Sequence, residues 1–176
     1  MKDEILIAGH GGQGVVVAGS LIANSAMTEG RNICGMISYG VEMRGGTSNS
    51  TIIISDKEIG SPVVVNPSTA LIMNDESLER FEKDVKKNGL MIIDASACRK
   101  KISRKDVNII EILATKIAED VGNKKTANMV MAGSYIKNKG TIKLQSAFDN
   151  IKKVLPKAED DLIELNKRAL IRGHDE

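Results

Sequence analysis

Apolar positions along the chain come in short runs separated by glycine-rich or polar breaks. Ile5-Leu6-Ile7-Ala8 follows a polar start and is ended by Gly9-His10-Gly11-Gly12-Gln13-Gly14. A short apolar run stopped by turn residues predicts a buried strand. Residues 15–27 are then apolar almost all round, with Ser20, Asn24 and Ser25 as polar interruptions. That pattern predicts a buried helix: its valines cost only tenths of a kcal/mol each, and Gly30 stands where the helix should close. Strands are predicted at 32–38 and 47–55, the second centred on Thr51-Ile52-Ile53-Ile54. Between them, 39–46 is a glycine-rich polar loop. Ser61-Pro62 and Asn66-Pro67 flank an extended piece, since residues before proline avoid the helical region.

Farther along, 70–73, 90–94 and 107–112 read as three more strands. Residues 76–87 read as an exposed amphipathic helix, with Asn74 or Asp75 near its cap and Gly89 at its stop. From 115 onward the periodicity is helical: 115–121, then 126–137 with small residues suited to close packing, 144–155 ended by Pro156, and 160–170 with Leu162, Leu165 and Ala169 on one side. Strands alternating with helices predict an α/β fold, a single Rossmann-like domain with a mostly parallel sheet covered by helices and a helical C-terminal region. One domain is expected over 1–176, sheet-rich to about 113 and helical from about 114 to 172, since domains cluster at about 100–150 residues.

Composition narrows the function classes. The 41% hydrophobic content suffices for a core and excludes a disordered chain. With two Tyr, two Phe and no Trp, the core must be built from Ile, Val, Leu, Met and Ala. Aromatic platforms for stacking bases are excluded, and a net charge of +2 leaves no electrostatic footprint for nucleic acid. Cys34 and Cys98 are 64 positions apart and neither sits in a CxxC. The chain therefore carries no ligand set for an iron–sulfur cluster or a structural zinc, and no metal site is expected. It has no run of 18 apolar residues, and Met1-Lys2-Asp3-Glu4 does not read as a signal peptide. No membrane association and a cytoplasmic, reducing location are expected.

Charge is unevenly spread. Residues 1–75 hold four basic and seven acidic side chains, and within 5–55 only Glu29, Arg31, Glu42 and Arg44 are charged. A segment so poor in charge is either deep core or covered by another subunit.

Gly9-His10-Gly11-Gly12-Gln13-Gly14 fits G-x-G-x-x-G between a strand and a helix. Gly9 and Gly11 are expected to supply positive φ, and Gly14 a close helix–strand approach. The helix start offers free N–H groups to an anion. A dinucleotide site would normally add an acid at the end of the second strand, but Gly35-Met36-Ile37-Ser38 has none, and no Gly-Lys-Ser/Thr follows for a P-loop. The turn is either an anion subsite or a tight connection filled by a partner. In the second motif, Tyr39 to Gly46, Glu42 and Arg44 sit beside Gly45-Gly46. They read either as a solvated ion pair or as a loop in which Arg44 anchors an anionic group or a partner's backbone.

The remaining candidates are modest. His10 would need an acid partner to act in proton transfer. His174 lies in a ragged acidic tail. Cys34 reads as an inert residue of a buried strand. Cys98 reads as an exposed-loop residue, either a redox-active thiol whose pKa the cations Arg99, Lys100 and Lys101 would lower or a free structural thiol. The 99–105 cluster would steer an acidic ligand or form a solvated face.

The two motifs together, about 25 residues apart, resemble the gamma subunit of 2-oxoacid:ferredoxin oxidoreductases. The likeness continues through Ser61-Pro62, Asp94-Ala95-Ser96 and Asn128-Met129-Val130 and leaves the tail after about Leu170 unmatched. The resemblance implies a subunit of an enzyme that oxidatively decarboxylates a 2-oxoacid with coenzyme A to acyl-CoA and carbon dioxide and reduces ferredoxin. It implies alpha and beta partners holding thiamine diphosphate and Mg2+, with iron–sulfur clusters on beta or on a ferredoxin-like delta subunit. It implies no catalytic residue in this chain. Gly9, Gly11, Gly12, Gln13 and Gly14 become cofactor- or ligand-facing candidates, and Tyr39, Glu42, Arg44, Gly45 and Gly46 interface candidates. Overall likeness favours 2-oxoglutarate as substrate. The competing reading is a stand-alone Rossmann-like nucleotide-binding or redox-sensor protein.

Overall fold

A computed structural model describes residues 1–39 and 47–176. Six strands form one sheet in the order β2-β3-β1-β4-β5-β6: β1 (Lys2–His10), β2 (Asn32–Tyr39), β3 (Thr47–Ser55), β4 (Thr69–Ile72), β5 (Leu90–Asp94) and β6 (Asn108–Ile112). β1, β4, β5 and β6 pair in parallel, while β3 runs antiparallel to both β1 and β2. Only β3 therefore points against the rest, and the mostly parallel α/β expectation holds.

Alternation along β1 divides the core. Ile5 and Ile7 face the larger cluster, under α1 (Val15–Thr28), α3 (Ala114–Val121), α4 (Ala127–Lys139), α5 (Leu144–Val154) and α6 (Asp160–Asp175). Leu6 and Ala8 face a smaller cluster with Leu78 of α2 (Asp75–Phe81), Val85 and Cys98. Burying the larger aliphatic side chains stabilises by roughly 1.5–3 kcal/mol each, so Ile, Leu, Val and Met make a core without many rings.

Three boundaries differ from expectation. β1 begins at Lys2, because Lys2, Asp3 and Glu4 pair across to Ser55, Ile54 and Ile53. α2 ends at Phe81 and passes through a 3-10 turn at Glu82–Asp84; Val85 is then extended and buried, and Asn88 has φ +61. α6 runs to Asp175 rather than fraying after Leu170. Its last turns are held by a close crossing with α4. A Cβ on Gly133 would overlap the Leu170 carbonyl, and one on Gly173 would overlap Val130 O. His174 thus sits on an ordered helix, not in a ragged tail.

Candidate functional site

The parallel strands end at one edge, and in such sheets ligands settle in the crevice beyond the strand ends. Here Gly12 and Gln13 follow β1, Met73 follows β4, Ala97 follows β5, and Thr115 opens α3. With Lys124, Lys125 and Ala127 they line a cleft of about 320 Å³. The exposed Lys124 and Lys125 have no ion-pair partner among the described residues.

The glycine turn is held by side chains. His10 N donates to Gln13 Oε1 at 2.6 Å, and Gln13 Nε2 donates to Met73 O at 3.0 Å, tying the turn to the end of β4. The positive φ values fall at Gly12 (93°) and Gly14 (74°), not at Gly9 and Gly11 as expected. Gly9 is instead needed for space, since a Cβ there would meet Gln13 Oε1 at 2.6 Å and Met73 Cβ at 3.1 Å. Gly14 caps α1 in the left-handed region, and a Cβ on it would overlap the Asn128 amide. Asn128 Nδ2 donates to Gly14 O at 3.1 Å across 114 residues. The first intrahelical bond of this helix start runs from Ala18 N to Gly14 O. The N–H groups before it thus have no helical partner and face the glycine end with the positive pole of the helix dipole.

Buried polar atoms without a partner among the described residues gather at the same edge: His10 Nδ1, Asn74 Nδ2, Ser77 Oγ and Asn128 Oδ1. His10 has the acid that local spacing did not reveal, since its Nε2 lies 3.2 Å from Glu76 Oε2 on α2. Asp94, fully buried at the end of β5, accepts from Ser96 N at 3.0 Å and from Thr115 Oγ1 at 2.5 Å, which fixes the α3 end of the cleft. Asn128 and Asp94 appeared in the sequence only within motif-like stretches; their contacts are long-range and left no local signal.

Glu42, Arg44, Gly45 and Gly46 lie outside the described residues, and of Tyr39 only its place at the end of β2 is described. Their flank is placed, however. Thr47 pairs with His10 and Ser48 with Gly9, so β3, which follows the second motif in sequence, starts beside the glycine turn. The acid expected of a dinucleotide site has no equivalent position here, because β3 separates β2 from β1.

The cysteine readings change. Cys98 is buried rather than looped out, and burial, with Asp75, Asp94 and Glu76 nearby, pushes its thiol up to about 12. The flanking cations do not lower it. Cys34 is half-buried in the edge strand β2 rather than deep in the core. Cys34 lies on β2 and Cys98 in the loop after β5, and two cysteines are too few for the four thiolates that hold a cluster. Among the described residues no three His, Cys, Asp or Glu side chains stand together to hold a metal ion. Two of the five cations in the 99–105 cluster are paired, Lys100 with Glu79 and Arg104 with Asp106. No helix among the described residues is long and apolar enough to cross a membrane.

Known proteins share this arrangement. A family model described as pyruvate ferredoxin/flavodoxin oxidoreductase matches residues 4–176, so the likeness includes the tail after Leu170. The 2-oxoglutarate synthase subunit KorC of Methanothermobacter marburgensis is 33% identical over 168 residues, 92% of this chain and 90% of that one. The ketoisovalerate oxidoreductase subunit VorA of the same organism is 32% identical over 173 residues, but this chain spans only 36% of its length. Among solved structures, a keto/oxoacid ferredoxin oxidoreductase gamma subunit from Geobacter sulfurreducens has a TM-score of 0.83 at 28% identity, covering 98% of this chain and 96% of that one. A 2-oxoglutarate:ferredoxin oxidoreductase from Magnetococcus marinus shares the fold with a TM-score of 0.88 at 18% identity, with 99% of this chain matched to 30% of that one.

Proposed function

The chain belongs to the pyruvate ferredoxin/flavodoxin oxidoreductase family as a gamma-type subunit, and we propose that the complex it joins oxidatively decarboxylates 2-oxoglutarate. Coenzyme A takes the acyl group, carbon dioxide leaves, and the two electrons reduce ferredoxin. The observation that carries this reading is the family match over 4–176. The preference for 2-oxoglutarate rests on the likeness to KorC over 90% of that protein's length.

The redox chemistry is assigned to the partners. Two cysteines are too few for the four thiolates of an iron–sulfur cluster, and the donor groups described do not fit a metal. Thiamine diphosphate, Mg2+ and the clusters then sit on alpha and beta chains or on a ferredoxin-like delta chain, in the cytoplasm. This chain's own share is positional. Gly9, Gly11, Gly12, Gln13 and Gly14 turn the chain so that free N–H groups, with Lys124 and Lys125, face an anionic part of the ligand. Tyr39, Glu42, Arg44, Gly45 and Gly46 are assigned to contact with a partner chain.

Tagging the chain at native expression level tests the reading. Thiamine- and cluster-bearing chains should co-purify, and the complex should reduce ferredoxin faster with 2-oxoglutarate than with pyruvate, a branched-chain 2-oxoacid or indolepyruvate. Recovery as a lone chain that binds NAD or FAD at micromolar concentration would instead support a stand-alone nucleotide-binding protein.

A further inference from the structure

The two margins of the sheet are built differently. β6 is five residues long and carries Glu111. β2, at the other margin, is eight residues long and has neither a charge nor a proline. Free strand edges usually carry such groups, because unpaired N–H and C=O rows recruit other strands. On β2, Gly35 is exposed and Met36 is 48% exposed. Register places Met36 opposite Thr51, and Thr51 opposite Leu6, so all three lie on the α2 side of the sheet. α1 covers β2 from the other side. On the α2 side, α2 packs on β1, and its Arg80 donates to Thr47 Oγ1 of β3. Beside the Met36 row, Asn49, Thr51, Val64 and Val65 line a hollow of about 120 Å³, and Val65 is 71% exposed.

We propose that this margin, β2 with Met36 and the Val63–Val65 rim, is the docking surface for the partner chain of the oxidoreductase, through a neutral apolar segment laid along the free edge. The proposal rests on the gamma-subunit reading. Three observations select this occupant. β2 and the Val63–Val65 rim carry no charge of their own, with Asp84 the one acid lining the hollow, so a charged segment laid on them would lose its hydration with little compensation, whereas a neutral apolar one would not. The same fold forms only 30% of the Magnetococcus chain, and VorA is likewise much longer than the matched segment. In such proteins this domain is joined to further protein, so a different chain rather than a second copy is the natural cover. Finally, β2 leads directly into the 39–46 motif, so the margin continues the loop already read as partner-facing.

The test uses the assembled complex with Met36→Lys and Val65→Lys, and Ile109→Lys at the β6 margin as control. All three side chains are exposed, so the melting temperature of the isolated chain should stay within a few degrees. Co-purification of the partner should fall at least tenfold for Met36→Lys and less for Val65→Lys, and stay unchanged for Ile109→Lys. Amide exchange in β2 should slow on assembly. Normal assembly of Met36→Lys overturns the proposal, as does a chain whose Met36→Lys variant loses a homodimer while its complex survives. If the unaltered chain recovers no thiamine-bearing partner, it is the gamma-subunit reading that fails.

Discussion

The two ends of β1 solve opposite problems. At its start, the Asp3 carboxylate is buried and fully engaged: Ser68 Oγ donates at 2.7 Å, Thr69 Oγ1 at 2.9 Å and Tyr135 OH at 3.0 Å, with Lys139 Nζ at 3.2 Å. At its finish, the glycine turn leaves His10 Nδ1 and Asn128 Oδ1 without partners among the described residues, and it opens onto the 320 Å³ cleft. A saturated polar cluster holds elements together; an unsaturated one beside a cleft is set up for something from outside. The first therefore reads as a fastening of α4 and β4 to the sheet, and the second as the working edge.

The largest effect on that contrast should come from Gly14→Ala. The new Cβ would have to occupy a left-handed backbone position and displace the Asn128 amide. Strain plus overpacking should cost about 2–4 kcal/mol. Calorimetry should show a melting point lower by about 5–15 °C. An unchanged melting point would mean that the turn is not held as described.

Tyr135→Phe comes next and works at the other end. Burial, then the Asp3 carboxylate, raises the phenol's pKa, so Tyr135 remains an O–H donor. Removing it leaves a buried carboxylate one donor short, a loss of about 1–3 kcal/mol in chemical denaturation. Assembly and ferredoxin reduction by the folded variant should not change. A loss of activity without a loss of stability would erase the contrast between the two ends.

How much of this was legible in the sequence follows from range. The glycine turn was legible because its residue spacing acts on its own backbone, and the apolar runs gave the strands because burial acts on successive side chains. The direction of β3 was not legible, since an apolar run reads the same either way along the sheet. Asp3 looked like part of a polar leader because its donors come from positions 68, 69, 135 and 139. Asn128 and Glu76 were missed as partners of the turn for the same reason. The exposed, cation-tuned reading of Cys98 fails because its neighbours in sequence are cations, while its neighbours in space are Asp75, Asp94 and Glu76.

Asn128→Ala should have a smaller effect on stability and a larger one on function. It removes one bond to Gly14 O, worth about 1 kcal/mol. It also removes an unpaired acceptor and loosens the turn that aims the α1 N–H groups. Ferredoxin reduction by the assembled complex should fall several-fold while the complex itself persists on a sizing column. Equal losses of stability and activity would make Asn128 a fastening like Tyr135.

Cys98 gives the smallest effect and asks how far the openness of this edge extends. Its thiol titrates near 12 rather than 9, first because it is buried and then because three carboxylates surround it. At pH 8 its thiolate fraction is thus about 100- to 1,000-fold below that of an unperturbed thiol, and alkylation by iodoacetamide should slow by at least that factor. The shift also fixes the sign of a pH effect. A thiol whose folded-state pKa lies above its unfolded value stabilises the fold fully below about pH 9 and loses that contribution as pH rises toward about 12. Denaturation midpoints should therefore fall more steeply over that window in the unaltered chain than in Cys98→Ala. Rapid alkylation at pH 8, with no such difference in slope, would place a reactive thiol at the working edge and extend its chemistry from main-chain donors and lysines to sulfur.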